Sequence, residues 1–114
     1  MTEKQIVQAL SALAQETRLT IAHLLSLAGD EGLSVGAISE KLGGVNPATL
    51  SHHLKELTGA GLILSRRQSR HIFYSINPDG VASLMTYLKD NCFSGSVSAA
   101  TRVADSFTPS FLGR

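Results

Sequence analysis

The sequence predicts a mainly α-helical domain with one small β-hairpin, in the order α-α-α-α-β-β-α. Three observations carry that prediction. Apolar residues recur at helical spacing before residue 58 and again after residue 80, and strand formers gather between them, at Leu62-Ile-Leu64 and His71-Ile-Phe-Tyr-Ser-Ile76. Glycine-bearing breaks at Gly29-Asp-Glu-Gly32, Gly43-Gly44 and Gly59-Ala-Gly61 separate the periodic stretches. The 114 residues, 43% hydrophobic and 17% charged, are enough for one compact domain with a real core and hardly for two.

The first helix is expected over about residues 3–14, from Ile6, Val7, Leu10 and Leu13. A second begins at Glu16-Thr17 and carries Leu19, Ile21, Leu24, Leu25 and Leu27. So wide an apolar arc is expected to run through the core, with His23 as a hydrogen-bonded core or interface histidine. Gly29-Asp-Glu-Gly32 stops this helix. Ser34 caps a short third helix bearing Val35, Ile38 and Leu42, and Gly43-Gly44 turns the chain into a fourth. There Asn46 is a good N-cap, and Pro47 suits the first helical position, where its missing N–H costs nothing. Leu50, Leu54 and Leu57 bury one face of it. A short helix, a tight glycine turn and a longer polar-faced helix form a helix-turn-helix pattern. Two strands around the basic polar link Ser65-Arg-Arg-Gln-Ser-Arg70 then make a hairpin, or wing. Asn77-Pro-Asp-Gly80 breaks the strand and opens a last helix with Val81, Leu84, Met85 and Leu88, reaching about Asn91. Helices around one hairpin in this order describe a winged helix-turn-helix, expected over residues 1–92. Residues 93–114, rich in Ser, Ala and Thr, are expected to form a tail that is flexible or held by a partner subunit.

The face of the fourth helix opposite its leucines carries Ala48, Thr49, His52 and Lys55, with Ser51 and His53 on the flanks. Side chains that are short, polar or cationic let a helix approach a DNA groove and hydrogen-bond to bases and phosphates. Taken alone, the same pattern also describes an ordinary amphipathic surface helix. Charge distribution separates the two. Between Lys41 and His71 there are five cations (Lys41, Lys55, Arg66, Arg67, Arg70) and one anion (Glu56), a local +4 that leaves −3 for the rest of a chain whose net charge is +1. A basic patch on a near-neutral protein is what a DNA-binding face needs, because phosphate neutralisation supplies most non-specific affinity. A winged-helix module that binds another protein would not need cations on both helix and wing. An enzyme is disfavoured: the chain has no P-loop, nucleophile elbow, metal-ligand cluster or Gly-rich dinucleotide loop, and Ser51 beside His52-His53 lacks an acidic orienter. No run of 18 or more apolar residues, no secretory pattern in Met-Thr-Glu-Lys-Gln and a single cysteine, Cys92, lead to the expectation of a cytoplasmic protein without membrane association.

Four segments, Ala9-Leu-Ser-Ala-Leu-Ala-Gln-Glu-Thr-Arg-Leu19, Leu50-Ser-His-His-Leu-Lys-Glu-Leu57, Ala60-Gly-Leu-Ile63 and Arg66-Arg-Gln-Ser-Arg-His-Ile-Phe-Tyr74, resemble in order and spacing the ArsR/SmtB family of bacterial transcriptional repressors. The resemblance covers roughly residues 5–92. It implies a homodimer, joined through its first and last helices, that binds an inverted-repeat operator on double-stranded DNA and leaves it when an inducer binds. It makes Asn46 to about Gly59 the recognition helix. Ser51 and His52 become the best candidates for base or backbone contacts, Thr49 for a thymine methyl or a phosphate, and Lys55 for a phosphate. Arg66, Arg67, Gln68 and Arg70 fall on the wing, where some are expected on phosphate or in the minor groove; Arg66 and Arg67 each stand equally as solvated strand residues. A twofold dimer would set its recognition helices roughly 34 Å apart.

The inducer is less legible. Where relatives hold arsenite or antimonite between two cysteines at the start of the third helix, this chain has Ser34 and Gly36. Where zinc-sensing relatives use carboxylates and histidines along the last helix, Asp79 is present but no histidine follows His71. Tyr87-Leu-Lys-Asp-Asn-Cys92 is similar to a subgroup that binds trivalent arsenic through cysteines at the end of the last helix. Here Phe93 follows, and a dimer supplies two thiols where trivalent arsenic prefers three. Three readings of Cys92 stay open: a packing cysteine, a ligand for a monomethylated trivalent arsenical or another thiophilic species, and an oxidisable switch. An organic effector and constitutive repression stay open too. His52-His53 diverge by about 100° on a helix and do not readily chelate one ion, which leaves DNA-face and packing roles. His71 is expected to be positional or on phosphate.

Overall fold

In the computed structural model, which describes residues 1–95, helix α1 (Glu3–Leu13) opens on a capping box. The Thr2 hydroxyl accepts from Gln5 N, and Gln5 Oε1 accepts from Thr2 N at 2.8 Å. Its inward face is Ile6, Ala9 and Ala12, two of them small enough to let neighbouring helices come close. Helix α2 (Glu16–Ala28) is capped by Gln15, whose side-chain oxygen accepts from Arg18 N. It contributes the fully buried Ile21 and Leu25, but its apolar arc is only partly inside: Leu19 and Leu27 are exposed, the latter at 73%. His23 is exposed as well, so it is no core histidine. It sits on the outer side of a helix that buries a narrower stripe than its composition suggests.

A 3₁₀ turn (Gly29–Glu31) leads into a two-residue strand, β1 (Leu33–Ser34), and then α3 (Val35–Lys41), whose N-cap Ser34 accepts from Ala37 N. The turn out of α3 rests on Gly43 and Gly44 at φ 83° and 88°, conformations that cost other residues about 1–2 kcal/mol each. Helix α4 (Pro47–Gly59) follows, then β2 (Ile63–Gln68), β3 (His71–Ile76) and α5 (Pro78–Tyr87). The expected order of helices and hairpin stands, and β1 is added to it. The sheet is three-stranded and antiparallel in the order β1-β3-β2, with Leu33 opposite Tyr74 and Ser34 opposite Phe73. Two residues are too few for an alternation to show, which is why periodicity missed β1.

The hairpin is also tighter than the basic link suggests. β2 and β3 pair from Ile63↔Ile76 through Gln68↔His71, so Arg66, Arg67 and Gln68 are strand residues and only Ser69 and Arg70 turn. Ser69 takes φ 59°, an uncommon left-handed value for a residue with a side chain. The core gathers Ile6, Ile21, Leu25, Ile38, Leu50, Leu54, Leu57, Leu62, Ile63 and Leu84 between helices and sheet. Met1–Leu84 form one compact unit, and a second begins at Met85. In the second, a single π-helical turn (Leu88–Cys92) follows α5. The tail expected over 93–114 lies, from residue 96 onward, outside the described residues.

β1 depends on a glycine. Gly32 has φ 71°, and a Cβ there would collide with the Tyr74 carbonyl oxygen of β3. Gly32→Ala is expected to lose more than about 1 kcal/mol of stability in urea unfolding, from backbone strain and a weakened β1–β3 approach. Gly36→Ala, in α3 with open space around it, is expected to be neutral or to gain about 0.5–1 kcal/mol. Equal effects of the two substitutions would show that β1 and β3 do not depend on their close approach at Gly32.

Candidate nucleic-acid interface

Helix α4 is held from one side and bare on the other. Leu50, His53, Leu54 and Leu57 are buried, whereas Ala48, Thr49, Ser51, His52, Lys55, Glu56 and Thr58 are exposed. Asn46 is occupied with the helix itself: its Oδ1 accepts from Ala48 N at 2.9 Å and Thr49 N at 3.4 Å. Its side chain therefore sets where the exposed face starts. Ser51, Lys55 and Thr58, at i, i+4 and i+7, border a shallow depression with Ser65 of β2 and Tyr74 of β3. Ser65 and Tyr74 are cross-strand partners, and neither stood out in the sequence. Pairing the strands around a two-residue turn at Ser69-Arg70 would have matched them; treating the whole of 65–70 as a link hid the match.

The wing residues separate. Side chains alternate along a strand, so Arg66 and Arg67 point to opposite faces of the sheet. Arg66 turns back onto the body of the protein: its Nη2 donates to the Glu31 carbonyl at 3.1 Å, and its guanidinium carbon lies 5.4 Å from the centroid of the Phe73 ring. Arg67 and Gln68 are exposed, and their side chains make no bond to another described residue. Arg70 and His71 border a second shallow groove with Ser34, Val35 and Gly36 at the start of α3. The structure thus brings Ser51 and Lys55 together with the wing strands, sets Arg70 beside α3, and leaves Thr49 and His52 open on the helix.

His53 is not on the flank of the exposed face. It is 8% exposed, the one buried polar or charged residue among those described, and its Nδ1 lies 3.2 Å from Arg18 Nη1. The signal was present in the sequence: His53 occupies the missing place in an i, i+3, i+4, i+7 stripe with Leu50, Leu54 and Leu57. Arg18 also donates through Nε to the Ala12 carbonyl at 2.7 Å. A guanidinium only donates, so Nδ1 accepts and the ring is neutral with its proton on Nε2. Burial, the Arg18 charge and His52 hold the His53 pKa below its ordinary value. His52 is the next residue, its ring centroid 5.8 Å away.

Cys92 is exposed, at the end of the π-helical turn. Among the described residues no three His, Cys, Asp or Glu side chains gather as a metal site. Among them, too, no helix is long and apolar enough to cross a membrane.

Residues 13–66, from the end of α1 to the middle of β2, match the family model described as a helix-turn-helix domain. The chain is 38% identical over 81 residues to the nodulation protein NolR of Rhizobium meliloti, a match covering 71% of this chain and 63% of that one. It is 40% identical to the HTH-type transcriptional regulator YceK of Bacillus subtilis, over 71% of this chain and 76% of the relative. A homodimeric winged helix-turn-helix DNA-binding domain from Mycobacterium bovis, described as a possible ArsR-family transcriptional regulator, superposes with a TM-score of 0.62. It is 28% identical, and the match covers 90% of this chain and 84% of that one. The chain belongs to the ArsR family of winged helix-turn-helix transcriptional regulators. Its α4 is therefore the second helix of an ArsR-family helix-turn-helix, and β2–β3 its wing.

The neutral state of His53 has a consequence for stability. Its folded-state pKa is depressed, so the unfolded chain takes up this proton first as pH falls. The contribution is complete above the ordinary histidine value, about 6.5, and is lost as pH drops below it. The urea midpoint of the wild type is expected to fall between neutral pH and about pH 5, and that of His53→Asn, which keeps an acceptor and cannot be protonated, to fall less. Parallel profiles would show that His53 does not titrate against Arg18.

Proposed function

We propose that the chain is a homodimeric repressor that reads an inverted-repeat operator through the exposed face of α4 and is released by an inducer. The observation that carries this reading is the division of α4 into a buried stripe and an exposed face bearing Thr49, Ser51, His52 and Lys55, next to a wing that exposes Arg67, Gln68 and Arg70. In the major groove, Ser51 and His52 are the base readers and Thr49 a methyl or phosphate contact, while Lys55 takes a phosphate. Arg67, Gln68 and Arg70 take phosphate or the minor groove. Arg66 is assigned a supporting role, since its guanidinium already lies on Phe73 and the Glu31 carbonyl. Asn46 contributes as the cap that presents Thr49. The protein works as a cytoplasmic binding protein, without catalysis.

Dimerisation through the first and last helices is supported by the apolar side chains each leaves exposed: Val7 and Leu10 on α1, at 61% and 41%, and Met85 on α5. Thiol chemistry at the exposed Cys92 is the assigned route of induction, two thiols per dimer accommodating a monomethylated trivalent arsenical or an oxidant.

Fluorescence anisotropy on a labelled duplex from upstream of the protein's own gene, against a scrambled duplex of the same composition, tests the DNA assignment. His52→Ala is expected to cost about 1–3 kcal/mol on the upstream duplex and much less on the scrambled one. Equal losses would remove His52 from base reading. Arg67→Ala with Arg70→Ala is expected to weaken both duplexes and to flatten the slope of log affinity against log salt by about one for each phosphate no longer neutralised. An unchanged slope would take the wing off the phosphates.

A further inference from the structure

Arg18 joins three helices at one point. Its backbone N–H is held by the Gln15 cap in the first turn of α2. Its Nε donates to the carbonyl of Ala12, in the last turn of α1, and its Nη1 to Nδ1 of His53, at the middle of α4. The remaining ties on α4's inner face are mostly apolar. Leu50, Leu54 and Leu57 bury area without fixing direction, and burial energy changes little when a helix turns a few degrees about its axis or slides by a fraction of an ångström. A hydrogen bond is directional and loses strength steeply with misalignment. The Gln8 bond to the Gly59 carbonyl acts only at the far end of α4. Base reading needs side chains held to within about 0.5 Å and 10–20°.

We propose that Arg18 is a positioning residue for DNA reading: by clamping His53 to the end of α1, it sets the rotation of α4 and so the aim of Thr49, Ser51, His52 and Lys55. This rests on the assignment of α4 as the DNA-reading helix. The clamp has a protonation state built into it. Protonated Nδ1 has no lone pair for Arg18, and the two cations would then repel within a part-buried contact. The charges bearing on His53 are Arg18 from α2 and His52 from its own helix. α1 offers the Ala12 carbonyl, which Arg18 already uses, and the β2 side of α4 meets Ser65. Acidification therefore opens the clamp.

The test measures affinity for the upstream and scrambled duplexes, from pH 7.5 to 5.5, for the full chain and three variants. Arg18→Met keeps the aliphatic stem without the donors, His53→Leu fills the site without an acceptor, and His53→Asn keeps a neutral acceptor near the Nδ1 position. At pH 7.5, Arg18→Met and His53→Leu are expected to lose about tenfold in the ratio of upstream to scrambled affinity, with His53→Asn close to the wild type. As pH falls, the wild-type ratio is expected to decline relative to that of His53→Asn. The wild type and His53→Asn differ at this one position, and His23, His52 and His71 are present in both. If Arg18→Met fails to fold, His53→Leu against His53→Asn decides. A wild type with an upstream preference that folded Arg18→Met or His53→Leu shares at every pH overturns the proposal alone. A wild type without an upstream preference overturns the DNA-reading function and this proposal with it.

Discussion

The constraint on which the rest of this structure depends is that α4 must be buried along one stripe and naked along the other. A helix that leaves one face to solvent is held from the other, so its place in the fold rests chiefly on Leu50, His53, Leu54 and Leu57. Four side chains on 13 residues make a narrow footing. The elements packed against it are α1, α2 and β2, whose buried residues include Ile6, Ala9, Ile21, Leu25 and Ile63. Ala9 and Ala12 matter here because larger residues on α1 would hold it away from its neighbours. Into this apolar footing the chain inserts one polar contact, His53 with Arg18. Such a contact adds little net stability, since removing two polar groups from water offsets most of what the bond returns. What it adds is direction.

The sheet performs the corresponding service for the wing. A lone two-stranded hairpin is marginal in water. β1, although only Leu33 and Ser34, pairs with β3 and joins the wing to the segment that links α2 to the helix-turn-helix. Arg66 reinforces the joint by bridging the Phe73 ring and the Glu31 carbonyl. The base of the wing is thus tied on two sides, while Arg67, Gln68 and the turn at Ser69-Arg70 stay exposed. The two neighbouring arginines divide the labour: strand alternation gives one to the scaffold and the other to solvent.

Membership of the ArsR family accounts for the helix-turn-helix and the wing, and leaves the chain's own chemistry to particular residues. Ser34 is used as the α3 cap, its hydroxyl accepting from Ala37 N. Cys92 is exposed on a π-helical turn, a departure from regular helix geometry that occurs often at functional positions.

Much of this was legible in the residues. Ser34 and Asn46 as caps, Gly43-Gly44 as the turn between α3 and α4, and the strand character of residues 71–76 are local preferences, expressed within a few bonds of the residue that causes them; they hold whatever the rest of the chain does. The polar face of α4 was legible for the same reason. What tertiary structure decided was everything set by distance through space. β1 exists because β3 lies beside it, since Leu33 and Ser34 have no pattern of their own. His53 is buried and His23 exposed because of which side of each helix meets its neighbours, although both histidines lie among leucines. Arg66 and Arg67 differ only through strand register. Arg18, unremarkable in sequence, takes its importance from lying within hydrogen-bonding reach of a carbonyl 6 residues before it and a ring 35 residues after it. Local sequence determines which elements form and where they stop; the packing of elements against one another determines which of their polar groups are spent on the fold and which remain free to bind.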